Sequence, residues 1–147
     1  MLITVKRESE PFHFVALNED GQSIVMDGVK ADAKGMRPMQ LLLAALGGCS
    51  GIDVVSILEK QHLTANSLTI TVNGTREPDV VPSLFKEILI TFIIEGDIHP
   101  DKVLRAVQLS LEKYCSVAKT LEPTALIWSE IILNGKNITQ GEIGNEV

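Results

Sequence analysis

PMQLLLAALGGCSGIDVVSILEK, residues 38–60, is the stretch whose reading decides the architecture. Pro38 suits a first helical turn, and from there Leu, Ala, Val and Ile fall on nearly every helical face as far as about Lys60. The pattern predicts one long helix buried all round at the centre of the molecule. Its uncharged run, Pro38 to Ile52, is 15 residues long and is interrupted by Gly47, Gly48, Cys49, Ser50 and Gly51. A bilayer span needs about 20 mainly apolar residues. A core helix is therefore expected, and no membrane.

Working outward, the chain changes period on both sides of this helix. Upstream, LITVK (2–6), FHFVAL (12–17) and SIVMD (23–27) are short β-rich runs separated by turn residues, with Asp20-Gly21 as a tight-turn signal. They predict an antiparallel meander, followed by an irregular loop over 29–37. Downstream, SLTITVNGT (67–75) and LFKEILITFIIE (84–95) alternate strongly and predict a long hairpin, with Pro78 and Pro82 in its connection. His99-Pro100-Asp101 opens a second helix in which Val103, Leu104, Val107 and Leu111 share one side. A short helical turn over 116–121 and a closing strand, ALIWSEIIL (125–133), complete the order β-β-β-α-β-β-α-(short α)-β. That order is an α+β fold, read as a mixed sheet around one long helix in a single domain over 1–134. The polar segment 135–147 reads as a frayed tail.

A chain of 147 residues is about one domain long and buries roughly 70% of its unfolded surface without staples. Hydrophobic residues make up 45% but aromatics only 4%, so the core has to be aliphatic. Mean hydropathy is +0.20, and a chain this apolar is expected to bury surface against a second copy of itself. The net charge is -6 with no cluster of Lys and Arg, which excludes nucleic acid as an expected partner. The first residues enter an alternating pattern at once and do not read as a signal peptide, so a cytoplasmic protein is expected.

Two cysteines are too few for a disulfide scaffold, and in the cytosol they would rest as thiols. Cys49 sits within GGCSG, where three glycines in a helix interior, each costing about 1 kcal/mol, need a compensating cause. Close approach of another helix at Gly47 and Gly51 is one. Space opened above the sulfur, with Gly48 beside it, is the other. Cys115 lies where the second helix ends and a new turn begins, near Lys113 and Lys119, a setting that favours a thiolate. Judged singly, each cysteine reads more readily as a small buried hydrophobe. As a pair they suit a reversible disulfide. Asp53 is one turn beyond Cys49 on the same face, where a carboxylate opposes ionisation of a thiol. The dispersed His13, His62 and His99 give no metal-ligand spacing, and no metal or cofactor is expected.

Two blocks carry a family resemblance over nearly the whole chain: Arg37 to Cys49 followed by Asp53-Val54-Val55-Ser56-Ile57-Leu58, and Glu112-Lys113-Tyr114-Cys115-Ser116-Val117-Ala118. Here the sequence resembles the OsmC/Ohr family of thiol-dependent peroxide reductases. The resemblance implies an intertwined homodimer with long central helices and active sites at the subunit interface. It implies that Cys49 attacks an organic hydroperoxide or hydrogen peroxide, that Cys115 resolves the sulfenic acid, and that a dithiol restores the pair. The chain departs from the family pattern where a glutamate is usual, having Met39, and has no arginine between Phe12 and Val29. Arg37 is the nearest replacement cation in the helix block. Two further readings stand beside this one: a binding protein for an apolar or electrophilic small molecule in a pocket beside Gly47, Gly48 and Gly51 that Met39 makes more apolar, and a thiol redox sensor.

Overall fold

In the computed structural model, which describes residues 1–28 and 33–139, the chain divides into two compact units, Met1–Leu42 and Leu43–Val147. Part of the loop expected over 29–37 lies outside the described residues, as does 140–147.

The N-terminal unit is the expected meander. Strands β1 (Ile3–Ser9), β2 (His13–Asn18) and β3 (Ser23–Asp27) pair antiparallel in that order. The β2–β3 turn closes as its residues dictate. Asn18 Oδ1 accepts from the N–H groups of Asp20 and Gln22 at 3.1 and 2.9 Å, and Gly21 takes a φ of 80° that a β-carbon would resist. The long helix α1 (Pro38–Glu59) begins at this unit's end. Gln40 Oε1 accepts from the backbone N–H of Arg37 at 2.9 Å, the reciprocal half of a capping box, and Pro38 needs no N–H partner at the first helical position.

The C-terminal unit carries the second sheet, with β4 (Ser67–Arg76), β5 (Phe85–Glu95), β6 (Leu126–Leu133) and β7 (Lys136–Asn137) in that order. The predicted hairpin forms in register from Ser67 opposite Glu95 onward. β6 runs parallel to β5, because α2 (Pro100–Leu109), a π turn (Ser110–Tyr114) and α3 (Ser116–Leu121) form the crossover between them. Two sheets thus replace the single mixed sheet expected from the element order. The segment read as tail contributes β7, since Asn134 and Gly135 adopt positive φ and turn the chain back onto β6.

Cross-strand rows build the core of this unit. Leu68, Ile94 and Leu133 form one row, and Ile70, Phe92 and Ile131 the next. Helix α1 lies close over this face: a β-carbon on Gly47 would come within 3.2 Å of Val72, and one on Gly51 within 2.9 Å of Ile70. The strand is therefore what approaches those glycines, not a second helix of the same chain. At Gly74 a β-carbon would sit 2.6 Å from the Phe85 ring and 3.0 Å from Leu43. Gly74→Ala is expected to cost about 1–3 kcal/mol by overpacking, measured as a shifted denaturant midpoint at unchanged slope.

The burial of α1 differs from expectation. Only Leu46, Ser50, Val54 and Leu58, spaced four apart, are buried, while Leu42, Ile52 and Val55 are 41%, 73% and 40% exposed. One chain covers one stripe of a helix that is apolar on every side. Length and composition alone would let this 22-residue helix cross a membrane, as they do for the core helices of soluble folds.

Candidate thiol site

The buried stripe of α1 passes Ser50, and the site is assembled around it. Cys49 and Asp53 are separated by four residues and so point to the same side of the helix. Cys115 reaches them from a different element. The π turn closes with the Cys115 N–H donating to the Ser110 carbonyl at 2.8 Å, five residues back, and Cys115 then leaves the helical region with φ -70° and ψ 98°. That makes it the N-cap of α3, with its sulfur accepting from the Ala118 N–H at 3.4 Å. The two thiol sulfurs and an Asp53 carboxylate oxygen all lie within 4.8 Å of one another. The pairing question, which sequence distance leaves open, is thereby answered: residues 49 and 115 meet.

Their surroundings are unequal. Cys49 is partly exposed, whereas Cys115 is completely buried. Burial pushes the Cys115 thiol above its usual range. The Ser50 hydroxyl works against this, the Cys49 thiol adds to it, and the Ala118 N–H opposes it again. Cys115 is consequently a protonated thiol at neutral pH. Ser50 Oγ lies 2.7 Å from the Leu46 carbonyl and 3.5 Å from the Cys115 sulfur. Its one proton serves one acceptor at a time. Ser110 Oγ donates to Asp53 Oδ2 at 3.0 Å and fixes that carboxylate in place.

The cations near Cys115 in sequence are engaged elsewhere. Lys119 pairs with Glu122 at 2.8 Å, and Lys113 stands 5.5 Å from the centre of the Tyr114 ring. The arginines of this unit are also engaged, Arg76 with the Ser83 carbonyl and Arg105 with Gln108. Arg37 and Met39 fall in the N-terminal unit, where Arg37 is exposed and Met39 half-buried. Gly48 is exposed, with nothing within 4 Å of where its β-carbon would be. It lines an open groove of about 590 Å³ with Gly47, Gly51, Ile52, Val55 and Leu68, and neither cysteine lines that groove. The glycines thus open space on another side of α1 from the sulfurs. Ser50 and Ser110 were not singled out from sequence, although a single hydroxyl within an apolar stripe of spacing four, Leu46, Ser50, Val54 and Leu58, marks Ser50.

Comparison with known proteins agrees with this architecture. Residues 31–130 match the family model described as OsmC-like protein. Protein YhfA of Escherichia coli strain K12 is 43% identical over 114 residues, spanning 77% of this chain and 84% of YhfA. The crystal structure of an OsmC-like protein from Mycoplasma pneumoniae superposes with a TM-score of 0.79 at 21% identity, covering 89% of this chain and 94% of that one. An organic hydroperoxide resistance protein OsmC from Legionella pneumophila superposes at 0.67 with 13% identity, covering 90% and 97%. With its family match, its two sheets and its long helix carrying a cysteine, the chain belongs to the OsmC-like family.

Proposed function

We propose that the chain reduces organic hydroperoxides or hydrogen peroxide through Cys49 and Cys115, with Cys49 attacking and Cys115 resolving. The observation that carries this reading is the meeting of one partly exposed and one fully buried sulfur within 4.8 Å. A peroxide reaches the exposed sulfur first. The Cys49 thiolate attacks the O–O bond, keeps the terminal oxygen as a sulfenic acid, and releases an alkoxide that takes up a proton as the alcohol. Cys115 then displaces that oxygen as water and closes a disulfide. An external dithiol reduces the disulfide back to two thiols and is itself oxidised. The reading takes the protein to be a cytoplasmic homodimer, and the apolar faces of α1 that a single chain leaves exposed support the dimer.

The test is chemical mapping. One equivalent of cumene hydroperoxide added to reduced protein should yield a peptide cross-linked between Cys49 and Cys115. Intact single peptides carrying a stable sulfenic acid would remove the pairing. The pH dependence follows from the environment of Cys115. Its thiolate is the species that closes the disulfide, and its pKa is raised. The closing rate should climb through neutral pH and keep climbing beyond the usual thiol value of about 8.5, by up to roughly tenfold per unit. A rate that levels off near pH 7 would contradict the buried-thiol account.

A second reading is favoured by the groove along Gly47, Gly48, Gly51 and Ile52, which is separate from the thiols and lined largely by apolar groups. It makes the chain a binding protein for an apolar small molecule. Native mass spectrometry of the purified protein distinguishes the two, by a bound ligand of defined mass in this case and by bare protein in the other.

A further inference from the structure

We propose that Cys49, Asp53 and Cys115 form a three-ligand site for a borderline-soft divalent cation of the zinc class, with a fourth position open. The proposal stands apart from the peroxide reading, because it needs the same sulfurs but neither oxidant nor turnover.

Donor type comes first. Two sulfurs and one carboxylate oxygen are ligands that zinc accepts, at about 2.3 Å for sulfur and 2.0–2.2 Å for oxygen. Sulfurs sharing a tetrahedral zinc stand roughly 3.8 Å apart on those bond lengths. The three atoms here already lie within 4.8 Å of one another, so side-chain rotation of a fraction of an ångström to an ångström completes the set. Two of the ligands are four residues apart on α1, and the third is the residue that follows the π turn and caps α3, so a long helix and a separate element share the cation.

The surroundings are those a metal-bound thiolate requires. Ser110 Oγ holds Asp53 Oδ2 at 3.0 Å and leaves the carboxylate's remaining oxygen capacity for a ligand. The Ala118 N–H and the Ser50 hydroxyl stand 3.4 and 3.5 Å from the Cys115 sulfur, positioned to donate to it. A dication favours the deprotonated form of a thiol beside it, and a coordinating thiol gives up its proton outright. On binding, two thiol protons leave to solvent and two metal–sulfur bonds form. No electron moves. The fourth position is left to water, a small thiol or a residue of another chain.

One chemical consequence separates this site from a passive scavenger. A cation bridging both sulfurs keeps them apart and occupies the lone pairs that a peroxide or a sulfenic acid would use. Metal occupancy and disulfide formation exclude each other.

The experiment uses the full chain, reduced and free of oxygen, titrated with Co²⁺ and then displaced with Zn²⁺. The expected result is one Co²⁺ per chain, with sulfur-to-cobalt charge-transfer absorption and the strong visible bands of a four-coordinate ion, both lost as Zn²⁺ replaces it. Cys49→Ser should abolish the charge-transfer band of the pair, and Asp53→Asn should weaken Zn²⁺ at least about tenfold in a chelator competition. Circular dichroism on each variant checks that the fold is retained, and Cys115→Ala serves as the second thiol variant. Absence of thiolate absorption with cobalt would overturn the site. So would Zn²⁺ affinity unchanged in Cys49→Ser, or unchanged in Asp53→Asn. Because no step involves peroxide, a chain that binds Zn²⁺ but fails to reduce peroxide sinks only the peroxidase reading, and the converse result sinks only the metal site.

Discussion

Replacing Cys49 with serine is expected to slow peroxide-driven oxidation of a dithiol by at least about a hundredfold, to the rate of the uncatalysed mixture. A serine hydroxyl in this position has no comparable nucleophilicity at neutral pH, and the only other thiol, Cys115, has no exposed surface through which a peroxide could arrive. The contrast with Cys115→Ser sharpens the expectation. That variant retains the attacking sulfur and should consume one equivalent of peroxide, after which Cys49 remains as a sulfenic acid that a dimedone-type reagent traps. Turnover then depends on whatever thiol is supplied from outside. Equal rates in wild type and Cys49→Ser would dispose of the peroxidase reading, whereas trapping on residue 115 in place of residue 49 would invert the roles.

The second large effect is on stability. Phe92→Ala should destabilise the fold by about 3–5 kcal/mol, a substantial part of the roughly 5–15 kcal/mol available to a domain. Phe92 has no exposed surface and is the largest of the fully buried side chains. It stands in β5 between Ile70 of β4 and Ile131 of β6, on the face toward which α1 packs at Gly47 and Gly51. The melting temperature should drop by roughly 6–20 °C, as followed by calorimetry. A change under a degree or two would mean that the sheet face is not the core of this unit.

How much was legible in the sequence depends on the range of the interaction involved. Local signals performed well. The alternation of Leu68, Ile70, Val72 and Gly74 against Ser67, Thr69, Thr71 and Asn73 gave β4 and its inward face, and Pro38 marked the first residue of α1. Asn18 and Gly21 gave a turn whose chemistry is contained within five residues. The division into two sheets was not legible, because strand order along the chain does not say which strands share edges. How much of α1 a single chain covers was not legible for a related reason. Composition reports that all its faces are apolar, but not whether one chain covers them. At the site, the two cysteines were found by residue type and family resemblance. The inequality between them rests on burial, and the placing of Asp53 against both sulfurs rests on a contact between residues some 60 positions apart. No spacing rule encodes that.

The π turn has a further consequence. Accommodating five residues where an α-helix would bond across four shifts the phase of everything that follows it, and a single residue corresponds to about 100° of rotation around a helix axis. Cys115 is the first residue after that shift. Removing one residue between Ser110 and Tyr114 would let the turn relax to ordinary helix, keep both thiols in the chain, and swing the second away from the first. The chemistry here is consequently a matter of phase as well as of composition, so that two chains with identical cysteines could differ completely in whether those cysteines meet.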